Sequence, residues 1–272
     1  METNKNPEAR SYLFVPGNRP ERFAKALAAG ADAVIFDLED AVGPDEKVRA
    51  RDAIIDWLKE PSSVYIRING ADTHWSEDDV AAFAQHRAVK GIVVPKSADP
   101  AVLRAISARA HDSLAILPLI ESAAGFEALH AIAATERVER LLFGTIDFQL
   151  DMGIGGDGEE LSYFRSQMTL ASRLANIGSP VDGVTTTLDD AQQIEDAARR
   201  ACRFGFGGKL CIHPRQIAPT HRAFTPSAQE QDWARRVLHA AEASAGCATV
   251  LDGKMIDAPV IQRARTILAA LR

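Results

Sequence analysis

The chain has 272 residues, 46% of them hydrophobic and 25% charged, the balance of an ordinary globular protein. A net charge of -6 and a pI near 5.7 weigh against nucleic acid or an anionic membrane as the main partner. The polar start METNKNPEAR has no apolar signal core, no run reaches the roughly 18 apolar residues of a membrane span, and three cysteines without metal-ligand spacing (Cys202, Cys211, Cys247) fit free thiols in a reducing cytoplasm.

Eight short apolar runs follow, each trailed by a helical pattern. They are SYLFVPG (11–17), AVIFDLED (33–40), VYIRIN (64–69), GIVVPK (91–96), LAILPLIES (114–122), RLLFGTIDF (140–148), VDGVTT (181–186) and GKLCIHP (208–214). Several are apolar without alternation, as in strands of a parallel sheet that are buried on both faces. Helix signals fall between them. Asn18 with Glu21 reads as a capping box stopped at Gly30, and Asp99 before Pro100 and Thr187 before Asp190 read as further starts. Residues 124–134, 161–175 and 188–203 have helical composition. Eight such units predict an α/β fold, a (β/α)8 TIM barrel, over residues 1–223; a doubly wound open sheet would need fewer strands. Residues 224–272 read as an appended helix–lid–helix segment packing on the barrel or on a neighbouring subunit. Its helices are expected at about 227–245 and 260–271.

A barrel gathers the C-terminal ends of its strands at one mouth. The polar residues ending these runs are Asp37, Glu39 and Asp40; Arg67 and Asn69; Lys96; Glu121 and Ser122; Asp147; and His213. Glu121 and Asp147 end adjacent strands five and six. Together they could hold a hard cation such as Mg²⁺, which takes one or two protein carboxylates and fills its shell with water and substrate oxygens. Alternatively, each caps a helix or pairs with a basic side chain. Arg67, in the apolar frame YIRIN, needs an anion: a substrate carboxylate, or a buried partner in Asp37 or Glu39. Lys96 reads as a charge partner for Glu39 or Glu121 more readily than as a Schiff-base lysine. His213, before a proline, reads as ordering a turn, and Asp151 as a loop or capping residue. GIGGDG (153–158) matches G-x-G-x-x-G but lacks a strand directly before it, so it reads as a loop.

The runs RSYLFVPGNRPERFAKALAAGADAVIFDLEDAV, YIRIN, VVPK, LPLIESAAG, FGTIDFQLDMG, GKLCIHPRQI and VLDGKMIDAPVIQRA occur in order over nearly the whole chain. Together they resemble the citrate lyase beta-subunit-like proteins of the HpcH/HpaI aldolase and malyl-CoA lyase superfamily. The resemblance implies a Mg²⁺-dependent barrel that makes or breaks a carbon–carbon bond beside a coenzyme A thioester. It implies metal ligands at Glu121 and Asp147, substrate contacts at Arg67 and Glu121, and CoA contacts at Arg19 and Lys25. Glu39 and Lys96 would support the metal site. Asp257 would be a catalytic acid on a C-terminal lid that reaches a neighbouring subunit in a homotrimer or hexamer. Arg19 and Lys25 alone read as surface charges near the start of the first helix, and Asp257 alone as a helix cap before Pro259.

The chain departs from the family at two points. Its C-terminal region is shorter than in malyl-CoA lyases proper, and the common GAED at the second ligand reads GTID. The expected activity is cleavage or formation of a citryl-, malyl- or citramalyl-CoA-type 3-hydroxyacyl-CoA, giving acetyl-CoA and a 2-oxo acid. The rivals are a malyl-CoA-type thioesterase, a CoA-independent 2-oxo-acid aldolase on the same metal site, a phosphoenolpyruvate-utilising barrel, and a non-catalytic subunit of an acyl-carrier complex.

Overall fold

Eight parallel strands pair in sequence order and close β8 back onto β1. They are β1 (Ser11–Pro16), β2 (Ala33–Asp37), β3 (Val64–Arg67), β4 (Val89–Val94), β5 (Ala115–Ile120), β6 (Leu142–Phe143), β7 (Val181–Asp182) and β8 (Gly208–Cys211). The computed structural model describes residues 8–58, 64–244 and 248–271. This is the TIM barrel that the eight apolar runs predict. The continuous runs follow from burial on both faces: β2, β3, β5 and β8 are buried at every position.

The barrel interior is filled by residues from all eight strands, among them Tyr12, Ile35, Tyr65, Leu117, Leu142 and Leu210. Gly91 stands beside Tyr65 in register, and a Cβ there would come within 2.9 Å of the Tyr65 ring. The glycine is therefore the space that the tyrosine occupies.

Val181 and Leu210 face this interior, so their neighbours Asp182 and Lys209 face the other side of the wall. There Asp182 Oδ1 accepts from Arg165 Nε at 3.1 Å, and Lys209 Nζ lies 3.5 Å from Asp182 Oδ2. Lys209 Nζ also donates to the Gly183 carbonyl at 2.7 Å. Arg165 comes from the helix Ser162–Leu174 and reaches Asp157 as well. All three members of the core pairings are buried, and the two cations hold the Asp182 carboxyl below its ordinary range against the opposing effect of burial.

Several boundaries differ from those the sequence predicts. Strands six and seven are two residues long; strand six stops because the chain after Phe143 turns at Gly144 into the helix Thr145–Met152. Asp147 therefore sits in that helix's first turn rather than at a strand end. Asn18 does not cap a helix: its amide donates to Glu46 Oε2 at 2.7 Å, and residues Pro20–Arg22 form a 3-10 turn without a side-chain cap. Residues 124–134 are two short helices, Ala123–Glu127 and Leu129–Ala133. Asp190, not Thr187, caps Ala191–Arg203, through a bond from Gln193 N. Asp99 caps Pro100–Arg109 as expected.

The chain divides into two compact units, one spanning Glu8–His221 and the other containing the residues from Arg222 onward. In the second, the helix Ala228–Ala243 opens on a capping box formed by Ser227 and Glu230. A hairpin of β9 (Thr249–Leu251) and β10 (Lys254–Ile256) turns at Asp252 and Gly253, both at positive φ. The helix Ala258–Ala269 follows, and Ala234, Val237, Ile256 and Ala264 form the core of this unit. Cys211 is a buried free thiol, and Cys247 lies outside the described residues. Among the described residues no helix is long and apolar enough to cross a membrane.

The outer ion network generates a stability prediction. Asp182→Ala leaves two buried cations without their shared partner, which should cost about 3–5 kcal/mol. Urea unfolding of the whole chain reads this directly, and a loss below about 1 kcal/mol would contradict the assignment.

Candidate active site at the C-terminal mouth of the barrel

Asp37 and Arg67 are the last residues of β2 and β3, and the register places them side by side. In a parallel pair such neighbours point to the same face, so the strand ladder itself brings them together. Arg67 Nε donates to Asp37 Oδ1 at 2.6 Å and Nη2 to Asp37 Oδ2 at 2.5 Å, a bidentate fork. Nη1 lies 2.9 Å from Glu39 Oε2 and 3.4 Å from Asp40 Oδ2. A guanidinium has five N–H groups, more than these pairings use, and Arg67 also lines the cavity at the barrel mouth. Of the two readings of Arg67, the buried pair is present in the structure. Asp37 also accepts from the Glu39 and Ala41 amides and so shapes the DLED turn.

Glu39 is buried and, among the described residues, has no hydrogen bond to either carboxylate oxygen; it pairs with the Arg67 guanidinium and with Lys96 Nζ, the latter at 3.3 Å. Burial raises its pKa, and Glu39 in turn raises that of Lys96. Lys47 donates to the Leu38 and Glu39 carbonyls, both at 2.7 Å, and burial lowers its pKa.

Glu121 follows the last residue of β5 and is 5% exposed. Its Oε1 accepts from the Lys96 backbone N–H at 2.5 Å. Lys96 adopts φ 47°, a left-handed conformation uncommon for a non-glycine residue. Across from Glu121, a Cβ on Gly144 would fall 2.7 Å from Glu121 Oε2, so the glycine forms a cradle for the carboxylate. Burial first, then the charges of Glu39 and Asp147, push the Glu121 pKa up to about 8. Asp147 is exposed in the first turn of its helix, where the unpaired amides favour a negative charge.

These groups line one cavity of about 360 Å³. Its charged lining is Asp37, Asp40, Glu121 and Asp147 against Arg67, and Phe14, Leu119, Phe143, Val184 and Leu210 form much of the rest. A hard divalent cation fits the donor set. Glu121 and Asp147 both line this cavity, and Asp147 is close enough for its charge to raise the Glu121 pKa, so a divalent cation would relieve the repulsion between them. Among the described residues no group of three or more His, Cys, Asp or Glu converges as ligands, so such an ion would complete its shell with water and substrate oxygens.

The other predicted residues take separate places. His213 Nδ1 accepts from Arg215 N and caps the turn Pro214–Gln216, as expected of a turn-ordering residue. Asp151 Oδ2 accepts from Ala123 N and so caps the next helix over. Asn69 is held by Asp79, and Ser122 caps Ala123–Glu127. GIGGDG follows the helix Thr145–Met152, and Asp157 within it joins the Arg165 pairing. Arg19 is exposed, with its guanidinium 3.7 Å from Glu21. Lys25 lines a second cavity, of about 390 Å³, with Arg22, Ala26 and His213; Phe14, Pro16 and Ile212 border both cavities. Asp257 belongs to the second unit, where Oδ1 accepts from Val260 N as the cap of Ala258–Ala269.

Sequence reasoning missed Arg22, Lys47 and Gly144. Arg22 lies one helical turn before Lys25, a spacing that was available as a signal; the other two carry none.

Residues 10–214 match the family model described as HpcH/HpaI aldolase/citrate lyase. A citrate lyase subunit beta-like protein of Deinococcus radiodurans is 34% identical, covering 96% of each chain. A (3S)-malyl-CoA thioesterase of Cereibacter sphaeroides is 33% identical over 96% of this chain and 93% of its own. Among solved structures, the CitE protein of Mycobacterium tuberculosis in complex with magnesium, acetoacetate and coenzyme A superposes with a TM-score of 0.85 at 32% identity, covering 96% of this chain and 97% of that one. The chain belongs to the HpcH/HpaI aldolase/citrate lyase family.

Two outcomes follow from this geometry. Gly144→Ala should displace the Glu121 carboxylate and weaken Mg²⁺ binding about 10- to 100-fold by calorimetry; unchanged affinity contradicts the cradle. Folded Glu121 keeps its proton to about pH 8, whereas the unfolded chain releases it near 4.5. Its stabilising contribution is thus complete at low pH and lost as pH rises towards 8. In metal-free protein, Glu121→Gln should gain stability relative to wild type from about pH 5 to about pH 8. A pH-independent difference in urea midpoint would contradict the raised pKa.

Proposed function

We propose that this chain is a Mg²⁺-dependent carbon–carbon lyase. It cleaves or forms a 3-hydroxyacyl-CoA of the malyl, citramalyl or citryl type, with acetyl-CoA and a 2-oxo acid as the other side of the reaction. The observation that carries the reading is the meeting of Glu121, Asp147 and Arg67 on one cavity that borders a second, basic one. Bound Mg²⁺ would supply Lewis-acid polarisation of the oxygens on the 2-hydroxy-acid half. Glu121 and Asp147 would hold it.

The chain's own groups divide the remaining work. Arg67 turns its remaining N–H to the substrate carboxylate or to the oxygen that becomes the ketone. Its pairing with Asp37 fixes the plane of that donor. The Lys96 amide fixes Glu121, and Glu39 holds the Lys96 side chain. Arg22 and Lys25 face the phosphate-bearing end of coenzyme A, with Arg19 close by in sequence. The apolar residues around the cavity restrict water, which protects the acetyl-CoA enolate until its carbon is protonated. Asp257, from this chain or a neighbouring copy in a trimer or hexamer, is the acid proposed for that proton.

Thioester hydrolysis on the same site is the second reading, favoured by the malyl-CoA thioesterase relatives. In that case Asp257 would direct water at the thioester. Product analysis separates the two: acetyl-CoA and a 2-oxo acid from a lyase, free CoA and a hydroxy acid from a thioesterase. Glu121→Ala and Asp147→Ala should each abolish Mg²⁺-dependent turnover with the fold retained by circular dichroism. Turnover that survives both changes, or survives EDTA, would reject the metal assignment. Asp257→Ala should keep Mg²⁺ affinity and lower kcat; an unaltered kcat removes Asp257 from the mechanism.

A further inference from the structure

The helix Lys47–Trp57 carries two buried cations, Lys47 and Arg51. They are one turn apart and so share a face. Burying either charge is unfavourable unless it finds partners. Each finds them just past the fork between Asp37 and Arg67. Lys47 Nζ donates to the carbonyls of Leu38 and Glu39, the two residues that follow Asp37, both at 2.7 Å. Arg51 Nε donates to Asp79 Oδ1 at 2.7 Å. Asp79 Oδ2 in turn accepts from the backbone N–H and the side-chain amide of Asn69, at 3.0 and 2.7 Å, and Asn69 stands two residues after Arg67. Trp75 joins the two cations: Lys47 Nζ lies 5.6 Å from its ring centroid, and Arg51 Nη2 donates to its carbonyl at 3.4 Å.

Neither cation lines the cavity of Glu121 and Asp147. An apolar side chain would pack such a helix on the barrel without the cost of burying a charge. The ammonium does something an apolar group cannot. Successive carbonyls of an extended strand point to opposite sides, so two that meet on one nitrogen hold a bend directly after Asp37. The Leu38 amide enters that bend bonded to the Arg67 carbonyl at 2.9 Å. The bend returns the Glu39 carboxylate to Arg67 Nη1 at 2.9 Å. Arg51 and Asp79 hold the neighbouring chain in the same way, beyond the end of β3.

We infer that Lys47 and Arg51 are positioning residues for Arg67. One helix grips the chain past β2 and past β3, and so fixes the plane in which Asp37 and Glu39 hold the guanidinium. This rests on the role given to Arg67 above and extends the site to two side chains that never touch substrate.

The test reads a signal local to Arg67 in the full-length protein. Two arginine Nε–H groups are bonded to buried aspartates: Arg67 to Asp37, and Arg165 to Asp182 on the other side of the barrel wall. Their exchange with solvent is followed by ¹⁵N NMR, with Arg67→Lys and Arg165→Lys assigning the signals. In Lys47→Met, Arg67 Nε–H should exchange at least about 10-fold faster while Arg165 Nε–H changes by less than about 2-fold. Arg51→Gln should show the same pattern. Equal acceleration at both sites, or none at Arg67, overturns the inference, and so does loss of fold in both variants, which would make the pair structural. In turnover, Lys47→Met should lower kcat/KM about 10- to 100-fold. Asp182→Ala, destabilised away from the mouth, should keep the wild-type kcat/KM. An unchanged kcat/KM in folded Lys47→Met overturns the inference and leaves the lyase reading standing. Wild-type protein that cleaves no thioester sinks the lyase reading, and the exchange pattern then decides the inference alone.

Discussion

Three buried carboxylates, Asp37, Glu39 and Glu121, share one end of a closed barrel with one buried guanidinium, Arg67. That arrangement is the constraint on which the rest of the site depends. Burying a carboxylate is unfavourable unless hydrogen bonds or positive charge offset it. Asp37 is compensated by a bidentate fork and two backbone amides. Among the described residues, Glu39 has two cations but no hydrogen bond. Glu121 accepts from the Lys96 amide, and burial, with the charges of Glu39 and Asp147, raises its pKa. A divalent ion held by Glu121 and Asp147, as proposed, would supply the missing compensation, so the electrostatic imbalance and the proposed chemistry would be one feature.

The barrel makes the imbalance sustainable. Strand register sets Asp37 against Arg67, and the closed sheet carries Glu121 and Asp147 to the same mouth from successive β-strand units. Interior packing around Tyr12, Tyr65 and Leu117 fills the cylinder below. Outside the wall, Asp182 ties Lys209 on β8 to Arg165 on the surrounding helix, and Lys209 also holds the Gly183 carbonyl. Strain appears next to the site, at Lys96, whose left-handed backbone lets its amide meet Glu121.

Much of this was legible in the sequence because barrel strands buried on both faces read as uninterrupted apolar runs. AVIFD and AILPLI each mark a strand, and the polar residue at or just after the end of each, Asp37 and Glu121, marks the mouth. RLLFGTIDF misled at its far end, since Thr145, Ile146 and Asp147 follow the apolar residues directly but fold as a helical turn after Gly144. Periodicity over so few residues does not separate a strand end from a helix start. Asn18 was misread for a different reason: a tertiary partner, Glu46, outcompetes the local cap. The hairpin at Asp252 and Gly253 carried an Asp-Gly signal that the expectation of a lid passed over. Lys47 and Gly144 were invisible because their roles are set by what lies across space from them.

The central claim is that Glu121 and Asp147 share one divalent ion. Crystals grown with Mn²⁺ and measured near the manganese absorption edge test it most directly, because manganese takes the same oxygen ligands as magnesium. The account predicts one anomalous peak within about 2.0–2.4 Å of an oxygen from each of the two carboxylates. A peak that touches neither acid, or none at saturating Mn²⁺, would contradict it.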